Sequence, residues 1–245
     1  MKKWTAFWNI LLKDIRAYYL KPPNISWGII FPLAWTGMFL IRSGQGLESI
    51  ENLLPGIISI SVLFGTTSML AVTVTFEKKN ASFDRLLLAP LPLELLMFAK
   101  TSGAILFGII NALIPIGLAS IFLGLPTITW IFVLPAILLI AISSTFLGLF
   151  IAVSVSEVFE AQTFSNFIRF PMLFLCGLFI PIHVLPLYLR PLSYVLPLTY
   201  GVDILKYGII NDGALPIWLN FLAIFSFCVI LFLISLRNIH KRWIL

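Results

Sequence analysis

The sequence predicts an all-α membrane protein with six transmembrane helices. Three observations carry that expectation. Hydrophobic residues make up 60% of the 245 positions, charged residues only 11%, and mean hydropathy is +1.06. Soluble domains run near 45–50% apolar and about 25% charged, so lipid-compatible surface has replaced charged surface here. The apolar residues also fall in long blocks bounded by charge, and none of the residues between Lys100 and Glu157 is acidic or basic.

A helix crossing a bilayer needs about 20 mainly apolar residues, because its backbone polar groups must be satisfied within the segment. Lys21 to Arg42 encloses the first such stretch and Glu51 to Glu77 the second. The charge-free stretch after Lys100 fits two spans, divided at the turn-type cluster Gly124-Leu125-Pro126-Thr127. A fifth span is expected from about Gln162 to Ile182 and a sixth from Leu215 to Leu236. Six spans put both termini on one side. With that side cytoplasmic, it holds Lys2, Lys3, Lys13, Arg16, Lys21, Lys78, Lys79, Arg85, Lys100, Arg237, Lys241 and Arg242. The outside receives only Arg42, Arg190 and Lys206, with Arg169 near a membrane boundary. The positive-inside rule therefore sets both termini in the cytoplasm, and topology accounts for the net charge of +6 without a nucleic-acid partner. Lys13, Asp14 and Arg16 interrupt any secretory h-region at the start. Cys176 and Cys228 lie inside apolar runs, which argues against a disulfide.

Ahead of the first span, within residues 1–21, Trp4, Phe7, Trp8, Leu11, Ile15 and Tyr18 recur at helical spacing, with Lys2, Lys3, Lys13 and Arg16 mostly elsewhere on the wheel. This pattern predicts an amphipathic interfacial helix, either a simple anchor or one that also docks a partner. In the loop over residues 77–95, Ser82 is the expected N-cap of a short helix. Asp84 lies in its first turn, where an acid complements the dipole, and Pro90 and Pro92 end it. Tethered closely to two spans, such a helix is either a lever or a solvated loop. The third segment, 183–212, is too apolar for an ordinary loop, yet Pro186, Pro191 and Pro197, with Pro181 just before it, forbid a continuous helix. Short helices dipping into the outer leaflet as a hairpin, with Tyr188, Tyr194 and Tyr200 at the interface, fit better.

These segments together resemble the ABC-2 type permeases, the membrane subunits of a class of ATP-binding-cassette exporters. The resemblance covers nearly the whole chain. It is carried by Glu77, Asp84-Arg85-Leu86-Leu87 and Pro90, by Gly177 and Pro181 with Pro186, and by Pro197-Leu198-Thr199-Tyr200 with Asp203. It implies that the loop helix is a coupling helix seated on an ATPase, with Glu77, Ser82, Asp84, Arg85, Leu86 and Leu87 as coupling residues. The hairpin would close the exit side, with Pro181, Pro186, Pro197 and Tyr200 as an outer gate. Where the family often has Gly-Thr before the coupling helix, Ala81-Ser82 stands here, so glycine's backbone freedom is lost at that point.

No Gly-x-x-x-x-Gly-Lys-Ser/Thr occurs. The resemblance accordingly implies two copies of a separate ATPase chain carrying ATP and Mg, and a second permease subunit, identical or a paralogue. This chain is expected to be no enzyme, to bind no cofactor of its own, and to sit in the cell membrane as a multi-pass exporter of a hydrophobic or amphipathic substrate. An ion- or proton-coupled transporter would need a coupling carboxylate or His at mid-membrane depth, and an intramembrane enzyme would need a catalytic set in the bundle. Neither is convincing in the charge-free spans. His183 and His240 lack the neighbours of a metal site.

Two further groups stand out. Arg169 either snorkels or pairs with Glu157 or Glu160, or it serves substrate or gating. Ala104, Gly108 and Ala112 in span three, and Ser144, Gly148 and Ala152 in span four, repeat every four residues, a spacing that permits close helix contact. Asn111 is expected to bond across helices, the alternative being that it faces the pathway.

Overall fold

A computed structural model describes residues 3–19, 47–123 and 128–241, with scattered positions between 26 and 38. Most of the expected first span from Lys21 to Arg42, and the break at 124–127, lie outside the described residues. Among the described residues there is no strand. In chain order the helices are α1 (Lys3–Asp14), α2 (Leu47–Lys79), α3 (Ser82–Leu87), α4 (Leu93–Leu123), α5 (Trp130–Ser154), α6 (Val158–Leu175), α7 (Arg190–Tyr194), α8 (Pro197–Ile210) and α9 (Ile217–Ile239).

Four of these, α2, α4, α5 and α9, are long and apolar enough to cross a bilayer. Their burial ranks them. The most apolar window of α2 is 94% buried inside the molecule, that of α9 only 17%. α2 is therefore the central post, packed against α4, α5, α6 and α8, while α9 leans on α5 and α8 from outside. Several hydroxyls on this buried helix are satisfied locally: Ser59, Ser61 and Thr66 donate to the carbonyls of Pro55, Ile57 and Val62. Thr67 instead reaches across to the Ser144 carbonyl of α5 at 3.2 Å.

The expected fifth span is shifted. α6 begins at Val158 because Glu157 and Glu160 form a reciprocal capping box. It stops at Leu175, short of the expected Ile182, where Gly177 adopts a φ of +74°. Its 18 residues extend about 27 Å, slightly less than a hydrocarbon core. The chain then makes a short turn at Ile182–Val184, α7, and α8. Within the segment expected as an outer hairpin, most of α8 is buried, packed against α5 and α2. Glycines let the two helices approach: a methyl on Gly201 would meet Ile140 at 2.3 Å, and one on Gly208 would meet Val133 at 2.7 Å. The sixth expected span begins and ends slightly later than Leu215–Leu236, at Ile217–Ile239.

The small-residue repeats face inward. Ala104, Gly108 and Ala112 on α4, and Ser144, Gly148 and Ala152 on α5, are all buried. A methyl on Gly108 would lie 2.2 Å from Thr66 Cγ2, and one on Gly148 would lie 2.6 Å from the Thr67 carbonyl oxygen. α4 and α5 thus press on α2 at adjacent residues. Among the described residues Asn111 makes no cross-helix bond: both its side-chain polar atoms are buried without a partner there, with Nδ2 close against Gly65. Cys176 and Cys228 are buried free thiols.

Candidate functional site

The short helix α3 joins the ends of α2 and α4. Its N-cap is Ala81, not Ser82, and Ala81 holds the left-handed conformation at φ 54° and ψ 14°. Ser82 is already helical. Its hydroxyl donates to the Glu77 carbonyl at 3.2 Å, closing the end of α2 rather than the start of α3. The turn thus occupies the backbone region that glycine favours, with alanine in it. Asp84 lies in the first turn and accepts from Lys78 at 2.5 Å. Phe83 is fully buried and Leu86 and Leu87 are partly buried, all three in a core shared with Phe7, Leu96 and Met97. Arg85 and Leu88 project outward, Leu88 with 86% of its surface exposed. α3 is therefore anchored by one aromatic and presents one cation and one leucine.

Behind α3 lies a charge cluster that the spacing of the sequence did not reveal. Glu77 does not project from the loop; it is buried at the end of α2. Lys100, two turns into α4 and 1% exposed, donates to Asp14 at 2.9 Å and 3.2 Å and is ion-paired with Glu77. Lys13, half-exposed, bridges Glu77 and lies 3.5 Å from Asp14. Two ammonium groups thus offset two carboxylates, and the cluster joins three elements: α1, α2 and α4. Burial raises the Asp14 carboxyl above its ordinary pKa more than Lys100 draws it down. The Lys13 ammonium also sits above its ordinary value: burial opposes this, and the hydrogen bond and charge of Glu77 outweigh it.

The same contacts cover one face of α1. Ala6, Phe7, Ile10 and Leu11 are buried, and α1 packs on α4, where Phe7 stacks near Phe98 at 5.7 Å. Trp4, Trp8 and Leu12 remain exposed. The apolar stripe read as one face is therefore two: one docks on the protein's own α4, the other is open.

Arg169 lies on α6 and is completely buried, which excludes snorkelling in this arrangement. Neither expected acid pairs with it. Glu157 takes Lys79 at 2.5 Å, and Glu160 closes the capping box. The guanidinium instead donates to Ser68 Oγ at 2.5 Å, the Phe64 carbonyl at 3.4 Å, the Ser165 carbonyl at 3.2 Å and Asn166 Oδ1 at 2.5 Å. It also stacks on the Phe64 ring at 4.4 Å. Among the described residues, Arg169 thereby pins α6 to α2 through neutral groups.

On the far side of the bundle, Pro181 precedes the short turn, Pro186 follows it, and Pro197 opens α8. Tyr200 donates to the Tyr194 carbonyl at 2.8 Å, and Thr199 to the Ser193 carbonyl at 2.5 Å, fastening α8 to α7. Asp203 is buried and accepts from the Ala214 and Leu215 amides and from Asn220 Nδ2, which fixes the turn into α9. No group of three or more His, Cys, Asp or Glu residues able to hold a metal occurs among the described residues.

Comparison with known proteins gives a consistent picture. Residues 5–210 match the ABC-2 type transporter family. The inner membrane transport permease YadH of Escherichia coli (strain K12) is 23% identical over 246 residues, covering 97% of this chain and 96% of that protein. Nodulation protein J of Bradyrhizobium diazoefficiens is 24% identical over 259 residues, covering 98% and 93%. Heme exporter protein B of Pseudomonas aeruginosa is 24% identical over 121 residues, covering 49% and 54%.

Proposed function

This chain belongs to the ABC-2 type transporter family, a family of multi-pass membrane permeases, and on that premise we propose that it forms the pathway of an ATP-driven exporter for a hydrophobic or amphipathic substrate. In this reading the protein has six spans and cytoplasmic termini, and α1 lies in the inner interface with Trp4 and Trp8 toward lipid. Two copies, or one copy and a paralogue, enclose the pathway above two ATPase chains that bind ATP and Mg. The similarity to YadH, a transport permease, and to heme exporter protein B supports transport, and the latter supports the outward direction.

The observation that carries the reading is the mechanical setting of α3. Its connections to α2 and α4 are a few residues long, and the Lys100 cluster clamps the ends of those helices together and to α1. Movement of α3 therefore moves α1, α2 and α4 as one body. Arg85 and Leu88 form the face that an ATPase would grip, and Phe83 transmits the load inward. Arg169 ties α6 to α2, so the same movement is passed to the helix beside the outer gate.

The test is co-purification in mild detergent. The wild type brings down a Walker-motif ATPase, and Arg85→Glu with Leu88→Asp loses it while the permease keeps its monodisperse elution. An intact chain that purifies alone and transports in ATP-free liposomes overturns the proposal.

A further inference from the structure

A pocket of about 450 Å³ opens between the end of α6, the short turn, α7 and α8. Among the groups lining it are Gly177, His183, Arg190, Asp203, Lys206 and Asp212. Arg190 and Lys206 are two of the three basic residues that the charge pattern assigns to the outer side. Sixteen positions apart in the chain, they converge here. Cations are sparse on that side of a membrane protein, so their meeting in one cavity calls for a physical reason.

Their bonding supplies one. Arg190 donates Nε to the Leu185 carbonyl at 3.0 Å and Nη2 to the His183 carbonyl at 2.6 Å, which fixes the guanidinium plane by one edge. Lys206 donates to the Gly177 carbonyl at 2.6 Å. Among the described residues, neither cation forms an ion pair with a carboxylate. Asp203, the buried acid of the pocket, is already occupied by two backbone amides and Asn220, and Asp212 lies exposed at the rim. Burial lowers the Lys206 pKa against the opposing pull of Asp212 and Asp203. Guanidinium and ammonium N–H groups thus remain over for a ligand, in a volume typical of small-molecule sites. Ile182 and Val202 provide apolar wall.

We infer that this outer pocket binds an anionic group, a phosphate or carboxylate, held between Arg190 and Lys206. An anion accepts charge-assisted hydrogen bonds from the N–H groups of both that the backbone carbonyls leave over. The source is either an outer-leaflet phospholipid headgroup or a soluble anion. The site lies within one chain and requires neither the ATPase nor transport, so it stands or falls apart from the exporter reading.

The experiment uses the purified full chain. Phosphatidylglycerol and phosphatidylcholine are titrated by native mass spectrometry, and inorganic phosphate by equilibrium dialysis. Removing both cations, Arg190→Gln with Lys206→Gln, weakens the anionic probe at least about tenfold. Because those side chains also brace the turn, Asp212→Asn provides the control: this rim change removes a repelling charge and tightens binding, while Lys206→Arg retains it. Selective phosphatidylglycerol binding that follows this order identifies a headgroup site, and phosphate binding in the same order identifies a soluble-anion site. If neither probe distinguishes the wild type from the double variant and Asp212→Asn, the inference is overturned.

Discussion

Replacing Lys100 by Met removes the ammonium group that Asp14 and Glu77 share, at nearly constant side-chain length. Lys100 and both carboxylates are at most 2% exposed, so water cannot replace the lost charge. Lys13 remains, but it is 40% exposed and serves Glu77 chiefly. Breaking a buried pair by deleting one partner costs about 3–5 kcal/mol, whereas an exposed pair contributes about 0–1 kcal/mol. Lys100→Met is therefore expected to destabilise far more than Lys13→Met. At about 2–4 °C per kcal/mol for a chain of this size, the midpoint falls by on the order of 10 °C. The assay is fluorescence-detected thermal unfolding in mild detergent. Glu77→Gln added to Lys100→Met should recover part of the loss, because it neutralises a carboxylate that the first change orphaned. Equal shifts for the two lysine variants, with no recovery in the double variant, would refute the buried-cluster account.

Further predictions follow from the same geometry. Gly148→Ala should destabilise more than Gly108→Ala in the same unfolding assay, because its new methyl meets the Thr67 backbone whereas that at Gly108 meets only the Thr66 side chain; overpacking of this kind costs about 1–3 kcal/mol. Ala81→Gly should stabilise by about 1 kcal/mol, since alanine in the left-handed region carries a steric cost that glycine lacks. A lowered midpoint would contradict the turn geometry. Arg169→Lys should lose nearly as much stability as Arg169→Leu, because an ammonium cannot keep the fork of bonds to α2 and α6 while stacking on Phe64. Full stability and transport in Arg169→Lys would remove the pinning role. Asp14 has a folded pKa above its unfolded value, so the folded state binds the extra proton between the two. The wild type should then gain midpoint relative to Asp14→Asn as pH falls from neutrality through that window. No change in the difference with pH would rule this out.

Much of the architecture was legible in the residues because membrane helices obey a strong local rule. α2, α4, α5 and α9 are long apolar stretches, and a spanning segment must satisfy its own backbone, so composition and length suffice to find them. Pro90 and Pro92 after a short run marked α3, and the prolines after Gly177 marked the break on the far side. The small-residue spacing named Gly108 and Gly148, since close approach depends on side-chain size alone.

The tertiary structure decided what depends on contacts between distant residues. Asp14, Glu77 and Lys100 are widely separated in the chain, and no local pattern shows that one ammonium group will serve both acids. Arg169 and α2 are joined through neutral oxygens that carry no charge signature, so the search for an acid partner pointed to Glu157 and Glu160. Prolines marked the short helices around α8, but only the packing shows that Gly201 and Gly208 let α8 lie against α5. Sequence by itself determined where apolar helices form, because lipid and hydrogen-bond satisfaction act residue by residue. Only the folded chain decided which charges are buried together, because desolvation and pairing are properties of neighbours in space.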